Sequence, residues 1–419
     1  MADMLIPQHP LRVALIGAGQ RAWNIYRPLF SSLKPWVQVT AVCDGVPSHA
    51  DAMAAVLGVP AFYDVRALVA ARPMEAVVVA TPVDSHYAIS IFLSTHGIHN
   101  LVETSWCNMV AQARRMIATA RQNGVIVRVA ENFFRSPIDR MVQMITASGA
   151  LGRIGRVVCY GDHTGYHNNS RWIVLAKAHP IWMQALEHTM PTASFHSTPE
   201  RFHTSETYRA RFYMFPDNFL VMDHAANIKG FLGRHLRPGY TEWQGERGTI
   251  VLRGIRPWEG RAEVRYVSDE GLRHVDREVD HTHPIETYPI IEEYDGKTWL
   301  RSYVDLPSGR IEHVNPFRPV EPAAHFIPWH GSPVMDHIVD FALAVRGLRD
   351  SEFDEEDALM SLMMEVGASE SANNEGRRIS LPLRDDVTAD QTIGERLRKK
   401  YGVDPLDIEA MLAISYPKV

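Results

Sequence analysis

A glycine-rich turn near the start of the chain has the residue types that hold a dinucleotide. An apolar run leads into Gly17-Ala18-Gly19-Gln20-Arg21-Ala22, a helical pattern follows, and a second apolar run ends on Asp44. Gly17 permits a tight turn, and Gly19 has no Cβ to keep the backbone away from a pyrophosphate. The amino end of the helix offers unpaired N–H groups to phosphate. Asp44 suits the ribose hydroxyls of NAD and would repel a 2′-phosphate, so the sequence predicts an NAD site.

A second group of polar residues follows the third apolar run, in Ala80-Thr81-Pro82-Val83-Asp84-Ser85-His86. It falls at the carboxyl end of a predicted strand, the edge where open α/β sheets bind ligands. We expect Thr81 and Pro82 to lie against the cofactor, with His86 beside it at the opening of the next helix. In the alternative interpretation the acid or the serine caps the helix and the proline forms a turn.

A third group, Asp162-His163-Thr164-Gly165-Tyr166-His167-Asn168-Asn169-Ser170-Arg171, is dense in polar and aromatic side chains. It follows a predicted strand of a second domain, where substrate contacts are expected. Tyr166 and His167 could relay a proton, and Arg171 could bind a carboxylate, sulfonate or phosphate. His163 is a further candidate for substrate contact. A merely polar loop is the alternative.

A parallel sheet would position the first two groups, because apolar runs and helical patterns alternate through residues 11–135. The predicted strands are Val13–Ile16, Val37–Cys43, Ala76–Ala80, Asn100–Val102 and Val125–Ala130. The predicted helices between them are Ala22–Leu33, Ser48–Leu57, Val65–Ala70, His86–Thr95 and Val110–Asn123. This alternation is typical of a doubly wound α/β fold. The sequence therefore predicts an NAD-binding Rossmann domain over residues 1–135.

The pattern then changes, and residues 136–384 are predicted to form a second α/β domain with a mostly antiparallel sheet. After a helix at Ile138–Ala147, the predicted strands are Val157–Gly161, Thr207–Phe215, Phe219–Phe231, Thr249–Arg253 and Arg261–Val267. Residues 268–330 are predicted to be long loops, and two helices follow, at Ser332–Arg346 and Glu355–Asn374. Residues 385–419 are predicted to be a helical C-terminal tail, either packed on a partner subunit or solvated.

Composition narrows the class of protein. The 419 residues have a net charge of −6, which gives no reason to expect nucleic acid or an anionic membrane as partner. The three cysteines are far apart and odd in number, which suits a reducing cytoplasm, and no signal peptide or apolar run of about 18 residues is present. The sequence therefore predicts a cytoplasmic protein. Asp280, His281 and His283 lack a further matched ligand, so we predict no metal site.

Taken together, these motifs resemble the Gfo/Idh/MocA family, that of glucose–fructose oxidoreductase, inositol dehydrogenase and their relatives. The resemblance covers most of residues 11–383. Besides the glycine turn and Thr81-Pro82 with His86, it rests on Glu103, Ala130-Glu131-Asn132 with Arg135 and Pro137, the linker Ser148–Gly155, Phe341–Gly347, and Ser380-Leu381-Pro382. It implies a Rossmann domain followed by a domain whose open sheet carries the substrate site. It also implies that Glu103 and Asn132 lie at the cofactor site.

The chain departs from the family at the residues that move the proton. Members usually carry Glu-Lys-Pro after the fourth strand, whereas this chain has Glu103-Thr104-Ser105, with Thr104 in the place of the lysine. A threonine hydroxyl can orient a substrate but cannot lower its pKa as an ammonium can. The resemblance also implies an Asp and a His four residues apart on a helix, and the best match is Gln184 with His188. His188 is then the general-base candidate, with Gln184 as its partner; a surface histidine is the alternative.

The sequence thus predicts an NAD-dependent oxidoreductase that transfers a hydride between nicotinamide and a ring hydroxyl carbon of a sugar or cyclic polyol. His188, with Tyr166 or His167, would manage the hydroxyl proton. Two alternatives stay open: a redox-neutral glycosidase or lyase that oxidises, eliminates and re-reduces, and a catalytically silent NAD-binding protein. The expected partners are a small sugar-like molecule and, because sheets of this family commonly pair between subunits, further copies of the chain.

Overall fold

The computed structural model describes residues 5–161, 165–198, 201–226, 240–253, 261–268, 285–296, 298–317, 330–385 and 387–416. His163 and the stretch 280–283 lie outside the described residues. The chain divides into two compact units, the first built from residues 1–132, 316–366 and 384–419, the second from 133–315 and 367–383. The first unit therefore draws on three separate stretches of chain, where the sequence pattern predicts one contiguous domain.

The first unit contains a six-stranded parallel sheet in the order β3-β2-β1-β4-β5-β6. Its strands are β1 (Leu11–Ile16), β2 (Val37–Cys43), β3 (Ala61–Phe62), β4 (Ala76–Val79), β5 (His99–Val102) and β6 (Val127–Val129). This is the doubly wound order, in which the chain moves outward from β1 in both directions. The predicted parallel α/β fold is confirmed.

Helices join these strands, as predicted. A π-helical turn (Ala22–Tyr26) runs into α1 (Arg27–Leu29), followed by α2 (Pro47–Leu57), α3 (Val65–Ala71), α4 (Val83–Thr95) and α5 (Val110–Gln122). The first helix is shorter than predicted. Pro28 lacks the N–H of a regular helical bond, and the chain takes the wider π pattern just before it.

A late segment of the chain completes the core of the first unit. Helix α8 (Gly331–Val345) buries Val334, Ile338 and Phe341 in the same apolar cluster as Val13 and Leu15 of β1. Helix α9 (Glu355–Asn373) follows it. Both helices are predicted correctly from their amphipathic pattern. The Rossmann sheet is thus packed by residues more than three hundred positions away in sequence.

The second unit contains a nine-stranded mixed sheet in the order β14-β13-β12-β11-β7-β10-β9-β8-β18, and a three-stranded sheet in the order β15-β16-β17. The first eight strands in chain order are β7 (Ile154–Gly161), β8 (Trp182–Thr198), β9 (Arg201–Met214), β10 (Leu220–Ala226), β11 (Tyr240–Gly245), β12 (Gly248–Arg253), β13 (Arg261–Tyr266) and β14 (Glu286–Pro289). The remaining four are β15 (Ile291–Asp295), β16 (Thr298–Leu306), β17 (Gly309–Val314) and β18 (Ile379–Ser380). Only β7 and β10 pair in parallel among these described strands, so the predicted mostly antiparallel sheet is confirmed.

Two helices of the second unit frame its polar residues. They are α6 (Pro137–Ser148), where the Ser136 hydroxyl accepts from the Asp139 N–H, and α7 (Gly165–Ala176). The prediction of long loops over residues 268–330 is wrong where the structure describes them, because residues 286–314 form β14 to β17. Trp299 and Val304 of β16 are buried, which explains why that polar stretch folds as a sheet.

The C-terminal tail packs against helix α5 of its own chain, which corrects the expectation of a solvated arm, and contact with a partner subunit stays a prediction. Its helices are α10 (Thr388–Tyr401) and α11 (Ile408–Leu412). The Asp390 carboxylate accepts from the N–H groups of Val110 and Ala111 at the start of α5, and Met411 is fully buried. No helix in the described ranges is long and apolar enough to cross a membrane.

Candidate functional site

The glycine turn between β1 and the π-helical turn has the geometry that a dinucleotide requires. Gly17 has φ +94°, its N–H donates to the Cys43 carbonyl at 2.8 Å, and a Cβ there would lie 2.6 Å from the Ala80 carbonyl oxygen. A Cβ on Gly19 would meet no atom within 4 Å, so this side of the turn is open. Gly17 is thus required by the protein itself, whereas Gly19 leaves room for a ligand.

Asp44 lies directly beside this turn, at the end of the neighbouring strand. Its Oδ2 accepts from the Ala18 N–H at 2.7 Å and its Oδ1 from the Val46 N–H at 2.8 Å. Two backbone donors therefore fix the carboxylate, and each oxygen keeps a further lone pair for a ribose hydroxyl. The residues of the turn and Asp44 fit an NAD molecule bound at the carboxyl edge of the sheet.

Arg21 and Glu103 join the glycine turn to the end of β5. Arg21 Nε donates to Glu103 Oε1 at 2.6 Å, and the Tyr26 hydroxyl donates to the same oxygen at 2.8 Å. The Glu103 side chain is 8% exposed and that of Arg21 35% exposed. Arg21, predicted to contact the cofactor, therefore has its guanidinium engaged with a buried carboxylate.

These partners keep Glu103 ionised despite its burial. Burial alone would raise the pKa of the carboxyl, but the charge and hydrogen bond of Arg21, with the hydroxyl of Tyr26, lower it to about 2. Burial also raises the pKa of Tyr26 well above its ordinary value, and the negative charge of Glu103 adds to this. Glu103 is a fixed anion at neutral pH and a poor proton acceptor.

Thr104 occupies the lysine position and is oriented by the preceding side chain. Glu103 Oε2 accepts from the Thr104 N–H at 3.0 Å and from its Oγ1 at 3.4 Å. The peptide bond between Thr104 and Ser105 is cis. A hydroxyl that donates to Glu103 keeps its oxygen lone pairs for a substrate hydroxyl, so Thr104 can orient a substrate as an acceptor.

The segment after β4 braces this edge of the sheet. Thr81 Oγ1 lies 2.7 Å from Ser85 Oγ, and Pro82 immediately precedes α4. His86 is 1% exposed, with Nδ1 2.9 Å from the Ser105 carbonyl and Nε2 2.8 Å from the Thr81 carbonyl. Burial lowers the pKa of the His86 imidazole, although the two carbonyls act to raise it. Since both ring nitrogens face backbone, the expectation that His86 reaches the cofactor is corrected to a role in joining two loops.

Asn132 closes the first unit just after β6. It is buried, and its N–H donates to Glu131 Oε1 at 2.9 Å. Glu131 is also buried and contributes to the negative potential around Arg21. Asn132 thus lies just beyond the carboxyl end of β6, at the edge of the parallel sheet where the cofactor site is predicted.

The polar group 165–171 of the second unit is a helix, not the loop considered in the sequence. Tyr166 and His167 lie in the first turn of α7, their rings edge to face with centroids 5.9 Å apart. The His167 ring also stacks on Phe133 at 4.3 Å with an interplanar angle of 12°. Aromatic contacts on two sides hold the imidazole in one orientation, which suits a group that must meet a substrate in a defined geometry.

Arg171 corrects the expectation of a substrate clamp. It is buried, its Nε donates to Asp139 Oδ1 at 2.8 Å, and its Nη1 donates to Asn168 Oδ1 at 3.2 Å. A guanidinium inside the protein must be paired, and Asp139 neutralises it. Asp223 is fully buried in the same region and accepts from Arg211 Nη2 at 3.1 Å. The Arg171–Asp139 pair joins α7 to α6. Asn168 and Trp172 of α7 also donate to Asp223, and these bonds join α7 to the sheet.

Gln184 and His188 correct the expectation of a catalytic pair on one helical turn. Both lie on strand β8, which pairs antiparallel with β9, with His188 opposite Tyr208. Four residues along a strand span about 13 Å, compared with about 6 Å along a helix, so the two side chains do not meet. Gln184 Nε2 donates to the Gly376 carbonyl at 2.6 Å, and His188 is exposed. A role for His188 stays a prediction.

Two residues near the nucleotide site were missed from the sequence. Tyr26 donates to Glu103, and His49, on α2, has Nδ1 4.0 Å from Asp44 Oδ2. His49 could have been found from its position, which is five residues after Asp44 and in the first turn of the next predicted helix. Among the described residues, no group of three or more His, Cys, Asp or Glu side chains could hold a metal ion.

Comparison with known proteins supports the nucleotide site. Residues 11–131 match the family model described as an oxidoreductase family with an NAD-binding Rossmann fold. The D-glucoside 3-dehydrogenase of Escherichia coli (strain K12) is 31% identical over 147 residues, which is 35% of this chain and 41% of that protein. A D-apiose dehydrogenase of Paraburkholderia graminis is 27% identical over 145 residues, 33% of this chain and 37% of that protein. The chain thus matches about two fifths of the length of these relatives.

The likeness in fold extends further than the likeness in sequence. A crystal structure of an oxidoreductase from Agrobacterium radiobacter, in complex with NAD+, L-tartaric acid and magnesium, superimposes with a TM-score of 0.64. The match covers 88% of this chain and 98% of that chain, at 16% sequence identity. At this identity the comparison shows a shared fold.

Proposed function

We propose that this chain, whose residues 11–131 match the model of an oxidoreductase family with an NAD-binding Rossmann fold, is an NAD-dependent dehydrogenase of the Gfo/Idh/MocA type. The reaction would move a hydride between the nicotinamide and a ring carbon that bears a hydroxyl group. The observation that carries the proposal is the glycine turn with Asp44 fixed 2.7 Å from the Ala18 N–H. An acid held at that point favours a cofactor with free ribose hydroxyls.

We propose a sugar, a glycoside or a cyclic polyol as the substrate. The matched relatives are named as dehydrogenases of a glucoside and of apiose, which supports a hydroxyl-rich substrate. The second unit, which follows it in sequence, would supply the substrate contacts.

The chain's own residues would hold the cofactor at the carboxyl edge of the sheet. The open side of Gly19 and the first N–H groups of the following helix would receive the pyrophosphate, and Asp44 the ribose hydroxyls. Bound NAD supplies the hydride acceptor. Glu103 and Thr104 would lie on the nicotinamide side, where Thr104 orients the substrate hydroxyl as an acceptor.

We propose that His167 takes the hydroxyl proton, with Tyr166 beside it. Histidine is the side chain that exchanges protons near neutral pH, and an imidazole can replace the base that a lysine would otherwise activate. The stacking of His167 on Phe133 supports this choice over His188, which lies exposed on a strand. Arg171 would contribute indirectly, by anchoring α7 through Asp139.

The test is NADH formation from NAD+ with a panel of aldoses, glucosides and cyclic polyols. The proposal expects turnover with at least one of them, and a loss of about a hundredfold or more in kcat for His167→Ala with NAD+ binding unchanged. A matched control is His188→Ala, which should keep most of the activity. Cleavage of a glycoside without net NADH would refute the dehydrogenase and point to redox-neutral chemistry.

We further propose that the protein is a homo-oligomer. Leu186 and Met190 are four residues apart on β8, so they lie on the same face of the strand. The two residues are 56% and 47% exposed and offer an apolar surface to a second copy of the chain. Sedimentation of the wild type and of Leu186→Glu measures this directly. A monomeric wild type would refute it.

A further inference from the structure

His49 lies beside the acid that selects the cofactor. It is the third residue of α2, and its Nδ1 is 4.0 Å from Asp44 Oδ2. Its backbone N–H donates to the Val46 carbonyl, and the Val46 N–H donates to Asp44, so the turn between strand and helix holds the two side chains near each other. The His49 side chain is 36% exposed, and its imidazole can therefore exchange protons with water.

The other charged groups near this end of the sheet are mostly acidic. Asp51, on the same helix, accepts from the Tyr63 hydroxyl at 2.7 Å, and Asp64 caps α3 after β3. Arg66 pairs with Glu409 at 2.8 Å and lies 3.9 Å from Asp64. Among the described residues, His49 is the basic side chain recorded within 4.0 Å of the Asp44 carboxylate. Protonation of His49 would therefore change the net charge around the Asp44 carboxylate more than protonation of a more distant group would.

We infer that His49 makes the choice between NAD and NADP depend on pH. With a neutral His49, the Asp44 carboxylate repels the 2′-phosphate of NADP and the site selects NAD. With a protonated His49, the pair is neutral overall, and the imidazolium attracts the phosphate. Discrimination against NADP would then fall as the pH is lowered and His49 gains a proton.

The size of the effect follows from Coulomb's law. One unit charge about 5 Å from a phosphate that carries one to two negative charges, in surroundings rich in water, changes a dissociation constant by roughly fourfold to fifteenfold. The ratio of the NADP+ to the NAD+ dissociation constant should therefore drop about tenfold between about pH 8 and about pH 5.5.

Calorimetric titration with NAD+ and NADP+ at both pH values tests the inference without any substrate. In His49→Gln, the ratio of the NADP+ to the NAD+ dissociation constant should stay high at both pH values, because glutamine carries no charge. His49→Arg should give a low ratio at both, because its charge is permanent. The 2′-phosphate itself gains a proton near about pH 6. The change in the ratio that this causes is measured with His49→Gln and subtracted from the change in the wild type.

A matched control is His96→Gln, at the end of α4 and the opposite edge of the sheet, which should behave as the wild type. The inference is overturned if the ratio does not change with pH in the wild type, or if His49→Gln retains the whole change. If the wild type binds neither NAD+ nor NADP+, the proposed cofactor is wrong, and the inference about His49 fails with it. A thermal unfolding curve for each variant verifies that it is folded, and His49→Arg remains informative if His49→Gln is not.

Discussion

Substitution of Glu103 tests whether the ionised carboxylate beside Arg21 stabilises the folded protein. The ordinary pKa of a glutamate here is 4.5, and that of Glu103 is about 2. A difference of this size is worth about 3 kcal/mol in favour of the folded protein at neutral pH. We expect Glu103→Gln, which removes the charge but keeps the shape, to lower the free energy of unfolding of the first unit by about 3 kcal/mol.

The pH dependence has a definite sign. Because the pKa of Glu103 is lower in the folded protein, its contribution is fully present above about pH 4.5 and is lost as the pH falls toward about 2. Urea unfolding at about pH 7 and about pH 3.5 should show a stability gap between wild type and Glu103→Gln that narrows at the lower pH.

Glu75 provides a matched control, because its pKa is also about 2, lowered first of all by its hydrogen bond with Arg346. Its side chain is 32% exposed, so water weakens the pair and Glu75→Gln should cost about 1 kcal/mol or less. Equal losses for the two variants, or a gap at Glu103 that does not change with pH, would refute the reasoning from burial.

Two further predictions concern the glycine turn and the tail. Gly17→Ala should lower both Tm and NAD+ affinity, because its Cβ would lie 2.6 Å from the Ala80 carbonyl oxygen, whereas Gly19→Ala should weaken NAD+ binding with Tm unchanged. Calorimetry and thermal unfolding measure the two effects, and a normal Tm for Gly17→Ala would contradict the geometry. Asp390→Ala should cost about 1–2 kcal/mol and expose the tail to limited proteolysis, because the N–H of Val110 loses its acceptor. Asp390→Asn, which keeps an acceptor, should be cleaved much more slowly, and equal cleavage of the two variants would argue against the capping bond.

Local sequence patterns predicted the parallel sheet well, for a physical reason. Strands buried on both faces are nearly continuous apolar runs, so Val37–Cys43 matches β2 at both ends. Asp44 and the glycine turn were found because their hydrogen bonds, from the Ala18 N–H to Asp44 and from the Gly17 N–H to Cys43, lie within one βαβ unit. These features come from short-range chemistry.

Long-range pairing could not be predicted in this way. Gln184 to Glu187 are good helix formers, but pairing with β9 makes them a strand. Arg21 and Glu103 are 82 residues apart, and Arg171 and Asp139 are 32 residues apart, so no local pattern indicates that either guanidinium is paired. An arginine in a polar segment looks the same in sequence whether it is exposed or buried.

The three-part construction of the first unit has a consequence for biosynthesis. Strand β1 is synthesised more than three hundred residues before the α8 residues Val334, Ile338 and Phe341, which cover its core. At typical rates of synthesis this interval is on the order of tens of seconds, during which the apolar surface of the nascent sheet lacks its cover. A chain that stops before α8 leaves this apolar surface uncovered, so we expect it to be prone to aggregation.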